Sequence, residues 1–90
     1  LNGENMSLLP PPNWLNYDQV NKKIMWEDVV DADSYQLNVK PQIATEWSTV
    51  VVDINEYAYD KPVGAYEAKV KTGKLGDWGQ QSRLFEFTIE

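Results

Sequence analysis

Cysteine and histidine are both absent from this 90-residue chain. Without cysteine there is neither a disulfide nor a thiolate zinc site, so a single small domain has to close on packing alone. Without histidine, imidazole general-base chemistry, Ser–His and Cys–His pairs and histidine metal sites are excluded by composition. Long apolar runs are missing too. No segment approaches the length of a spanning helix, and nothing has the layout of a signal peptide. Basic side chains are the minority, 8 against 14 acidic ones, giving a net charge of −6. Such a balance argues against a phosphate-tracking surface, so nucleic acid and anionic membranes are not expected partners. Nothing in the chain carries a helical period, an internal repeat or a low-complexity tract.

What is present is alternation. Ile24 and Trp26 share one side of an extended segment, and Tyr35, Leu37 and Val39 share one side of the next. Lys23, Gln36, Asn38 and Lys40 take the opposite side, as expected of neighbouring half-buried strands with Trp26 at the centre of their inner face. Residues 1–7 are polar and unpatterned and are read as a leader or linker remnant, with the domain at 8–90. The opening on Leu1 rather than Met suggests a piece of something longer. Pro10-Pro11-Pro12 forbids helix and predicts an extended entry along a sheet edge. A first strand is expected from Asn13 to Tyr17. Trp47 to Ile54 should form a Val-rich strand with Val50, Val52 and Ile54 on one face. Tyr57 and Tyr59 alternate in a short strand, and 60–64 is turn chemistry. Tyr66, Ala68, Val70 and Thr72 should face inward from the next strand. Residues 72–79 are expected to form a Gly-rich hairpin loop, and Phe85, Phe87 and Ile89 line the last strand. About seven short strands with regular turn signals predict an all-β, antiparallel, immunoglobulin-like sandwich.

The order of these features resembles the fibronectin type III domain. The carriers are the Pro-rich entry, Ile24-x-Trp26, the run Ala32-x-Ser34-Tyr35-x-Leu37-x-Val39, and Gly64-Ala65-Tyr66-Glu67-Ala68-Lys69-Val70, followed by a Gly-rich loop and Ser82. The resemblance implies a seven-stranded, fibronectin type III-like β-sandwich with Trp26 and Tyr35 in its core. It makes Tyr66 a tyrosine-corner residue whose hydroxyl bonds to backbone just upstream. The chain departs from the family before the Pro-Gly turn, where Tyr59 and Asp60 stand in place of the usual Leu and Val63 is inserted. No Arg-Gly-Asp tripeptide is present.

Four groups are candidates for function. Glu27, Asp28, Asp31 and Asp33 place four carboxylates within seven residues, yet the cluster lacks the spacing and the Gly of a calcium loop, so a solvated link and no metal are expected. A carboxylate pair for glycoside hydrolysis needs a cleft that so small a sandwich has little material to build, so no catalysis is expected. Trp78 and Trp47 are weak candidates for ligand binding, since an exposed indole stacks sugars or anchors a partner. The competing use of Trp78 is a cation–π contact with Lys69, Lys71 or Arg83. Trp14, beside the Pro run, is expected at the surface or the end of the sandwich. The resemblance implies a non-catalytic module, without cofactor, serving as spacer or protein-interaction domain in a larger extracellular, surface or phage-type protein. Its partners would be neighbouring domains and protein or glycan ligands. A small carbohydrate-binding module using exposed Trp residues is the alternative.

Overall fold

The structure is a computed structural model describing residues 9–90; the leader at 1–7 and the domain's expected first residue, Leu8, lie outside the described residues. Eight strands follow in order: β1 (Leu15–Asp18), β2 (Lys23–Trp26), β3 (Ser34–Pro41), β4 (Ser48–Val52), β5 (Glu56–Ala58), β6 (Gly64–Lys74), β7 (Asp77–Gln81) and β8 (Phe85–Ile89). They form a three-stranded sheet, β1-β2-β5, and a five-stranded sheet, β4-β3-β6, with β7 and β8 both paired to β6. Every pairing is antiparallel. The architecture is the expected all-β sandwich.

Alternation decides which residues meet between the sheets. Ile24 and Trp26 from one sheet pack in a cluster with Tyr35, Leu37, Val39, Ala68, Val70 and Ile89 from the other. Trp26 is 0 % exposed and meets the Tyr35 ring edge-on at 5.6 Å. Thr72 is buried too, and neither its hydroxyl nor Trp26 Nε1 has a hydrogen-bond partner among the described residues. At the lower end Tyr66 donates its hydroxyl proton to the Pro62 carbonyl at 2.7 Å. Tyr59 meets the Tyr66 ring at 90°. Its ring packs at the corner with that bond in place.

Eight strands replace the expected seven because β7 forms at 77–81, starting inside the expected loop, and Ser82 separates it from β8. Its N–H donates to the Val70 carbonyl, but the Val70 N–H donates to Ser82 Oγ rather than to a backbone oxygen. A side chain has entered the ladder, and β7 and β8 pair with β6 on either side of it. The expected Gly-rich loop at 72–79 is mostly strand. Only Leu75 and Gly76 turn, with φ of 52° and 86°. Two positive φ angles match the twist of the flanking strands, which allows so tight a hairpin. The Val-rich strand is shorter than expected, and Ile54 lies beyond its end, exposed. Asp53–Asn55 carries the chain from one sheet to the other, so the alternation of β4 does not extend through it.

Candidate functional site

The outer face of the five-stranded sheet gathers Trp47, Lys40, Glu67 and Lys69. Lys40 and Glu67 stand directly opposite each other on β3 and β6. The pairing of Val39 with Ser48 places Trp47 beside Lys40. Lys40 is only 9 % exposed and sits 3.2 Å from Glu67 Oε2. It also donates to the Ala44 carbonyl at 2.9 Å. Its Nζ lies 5.0 Å from the centroid of the Trp47 ring, and the Lys69 Nζ lies 4.4 Å from it. A half-covered cation is well placed over an indole face, whose quadrupole attracts it. The Trp47 ring is therefore occupied by its own domain.

The cation clasp expected at Trp78 is thus found at Trp47. A register shift between Lys71 and Gly73 sets Trp78 opposite Gly73, beyond the lysines. Its ring rests on the bare backbone there, where a Cβ on residue 73 would collide with the indole and with Ser34 Oγ. Trp14 is 48 % exposed and borders a shallow hollow with Pro12, Arg83 and Leu84. The three indoles are therefore placed differently, one under lysines, one on glycine and one at the edge of the Pro run.

The acidic link does not converge. Glu27 Oε1 accepts from the Asn13 N–H, and Asp28 Oδ1 accepts from the Tyr35 hydroxyl. Asp33 accepts from the Leu75 N–H and the Ser34 hydroxyl. Those donors hold the Asp33 carboxyl below its ordinary pKa, the Leu75 N–H first. No three carboxylates gather into a metal-sized cluster among the described residues. Burial, followed by the nearby Asp60 charge, pushes the Tyr17 phenol up; burial does the same to Tyr35 and Tyr59. These are core phenols, and each hydroxyl that bonds serves the fold: Tyr17 donates to the Tyr59 carbonyl, and Tyr35 accepts from the Val29 N–H.

Sequence reading missed the feature that most distinguishes the two sides of the sandwich. On one side the Gln19 carboxamide donates to the Thr88 carbonyl at 2.7 Å and accepts from the Glu90 N–H at 3.1 Å. Above it, the Leu9 carbonyl crosses the Gly79 backbone. On the other side β4 and β5 part and leave two adjoining hollows of about 660 and 470 Å³, both lined by Tyr57 and Ala58. The available signal was the link at Asp53–Asn55. A connection that short moves between sheets only at their edges.

No protein-family model matches the chain, and no curated protein matches it. Among solved structures it is similar to a Fn3-like protein from Clostridium thermocellum, with a TM-score of 0.67 and 17 % identity over 89 % of this chain and 92 % of that one. At that identity the likeness concerns the fold, and with the tyrosine corner and the two-sheet topology it establishes a fibronectin type III-like β-sandwich.

Proposed function

We propose that the domain is a non-catalytic module, a spacer that docks end-on to neighbouring domains of a larger extracellular, surface or phage-type protein. The observation that carries this reading is where the exposed apolar side chains sit. Val20, Ile43 and Val63 project from the loops at one pole, which are tied together by bonds from Gln19 to Thr88 and from the Gln42 N–H to the Ala65 carbonyl. Val30 and Leu75 project at the other, where Lys74 donates to the Asp31 carbonyl and Asp33 accepts from Leu75. The long axis of the domain measures 47 Å against 26 and 18 Å across. Leu9 and Glu90 lie toward opposite ends of it, so a neighbour on either side would cover one apolar cap. The carbohydrate reading draws less support, because the faces of Trp47 and Trp78 already rest on lysines and on Gly73.

The test compares the isolated domain with the same domain joined to its flanking chain. Docking predicts a higher melting temperature in the longer polypeptide. Ile43→Lys with Val63→Lys should abolish the gain while leaving the isolated domain unchanged. Equal melting temperatures for the two polypeptides would end the docking reading. Saturable binding of a soluble glycan, lost in Trp47→Ala or Trp78→Ala, would favour the carbohydrate-binding module instead.

A further inference from the structure

Between the poles, the flank formed by β4 and β5 poses a separate question. β4 is the edge of the five-stranded sheet and, among the described residues, pairs only with β3. An edge strand leaves alternate N–H and C=O groups facing outward, and proteins commonly guard them with Lys, Pro, a bulge or a covering segment. The Ser48-Thr49-Val50-Val51-Val52 sequence supplies no such residue. No bulge interrupts its register with β3. Among the described residues no other backbone bonds to it. The opposite side of the molecule has both kinds of cover, the Gln19 carboxamide on β8 and the Leu9 segment on β7. Beside the bare edge lie the two hollows, with Val50, Val52, Ile54 and Tyr57 on their walls.

We propose that this edge accepts an added β-strand from another polypeptide, an extended segment of alternating apolar residues flanked by Lys or Arg. Backbone bonds to β4 would fix the segment, and every second side chain would settle between β4 and β5. Charge selects the occupant. Glu46 and Asp53 bracket the strand, and Asp60 borders the lower hollow. The cations nearby are committed: Lys23 to Glu56 at 2.9 Å, Lys61 over Tyr59, and Lys40 and Lys69 over Trp47. In an antiparallel pairing of two copies centred on Val50, the Glu46 of each copy would lie beside the Asp53 of the other, in molecules already carrying −6. A basic segment from a different protein meets the opposite condition.

The probe is a fluorescein-labelled peptide, Lys-Val-Thr-Val-Thr-Val-Lys, titrated into the domain at low salt with backbone hydrogen exchange followed in parallel. Expected are saturable binding, slowed exchange confined to residues 48–52, and loss of affinity when alternate peptide amides are N-methylated. Reversing the bracket with Glu46→Lys and Asp53→Lys should weaken binding about tenfold, since each exposed pair contributes modestly and is replaced by a repulsion. No saturable binding, equal binding of the N-methylated peptide, or protection located on β7 or β8 would overturn the proposal. Concentration-dependent dimerisation with protection of the same residues would also overturn it, assigning the edge to a second copy. The poles take no part in these measurements, so failure here leaves the end-on docking reading standing.

Discussion

Along one seam of the sandwich, three aromatic rings and a borrowed amide fill the gap between the sheets. Phe87 stacks on Tyr17 at 5.0 Å, Phe85 on Phe87 at 5.2 Å, and Gln19 bonds the edge of β8 as a further strand would. Along the other, β4 and β5 diverge around Tyr57, leaving two hollows between them. Both seams flank the same buried core. The difference shows that closure is not a requirement of packing alone. A sandwich this small can hold together from one side and leave the other free for a different use.

The largest effect should come from the buried core between the seams. Trp26→Ala should cost about 3–5 kcal/mol, the range for deleting a large core aromatic. Urea melts would show it, and a nearly unchanged midpoint would mean that the core is centred elsewhere. The seams themselves are compared by a matched pair. Phe87→Ala is expected to cost about 3 kcal/mol. Tyr57→Ala, on the open side, should cost about 1 kcal/mol, nearer the ordinary range for point changes. Equal losses in denaturant would erase the asymmetry.

Much of this is legible in the amino-acid sequence. The two-residue period through 23–26, 35–39 and 66–72 dictated which side of each strand faces inward, and composition excluded disulfides and imidazole sites. What a single strand's period cannot state is register between strands. Lys40 and Trp47 meet because Val39 pairs with Ser48, a fact that belongs to the hairpin and to neither strand. The break between β7 and β8 was hidden for a related reason, since Ser82 acts through a bond to Val70, twelve residues away. The open flank escaped notice because alternation reports what is covered, and an unguarded edge has the same pattern as a paired one.

Smaller effects sharpen the contrast. Gln19→Ala removes two exposed bonds and should cost about 1 kcal/mol or less. It should also speed exchange at the Glu90 amide selectively. Exchange that stays slow there would mean that the carboxamide is not the cover. Acid provides the mildest probe. The Asn21 side chain and backbone, as first causes, hold Asp18 low, and the Leu75 N–H holds Asp33 low. A depressed carboxylate stabilises above its unfolded pKa of about 4 and loses that contribution as pH falls through the folded value. Stability should therefore decline on acidification below about pH 4, and Asp33→Asn should flatten the decline. An unaltered acid limb in that variant would remove the Asp33–Leu75 bond from the account.

The Gln19 carboxamide has a mechanical consequence. Tension applied through Glu90 reaches the bond from its amide to Gln19 before it reaches the rest of the β8–β6 ladder. That bond joins Glu90 to the turn between β1 and β2, so a pull on Glu90 is shared with the opposite sheet. The carboxamide is expected to act as a sacrificial fastener, releasing first and re-forming when the load is removed. Single-molecule pulling would register it as a small reversible extension preceding the main rupture. That step should vanish in Gln19→Ala, while the force of the main event stays nearly constant.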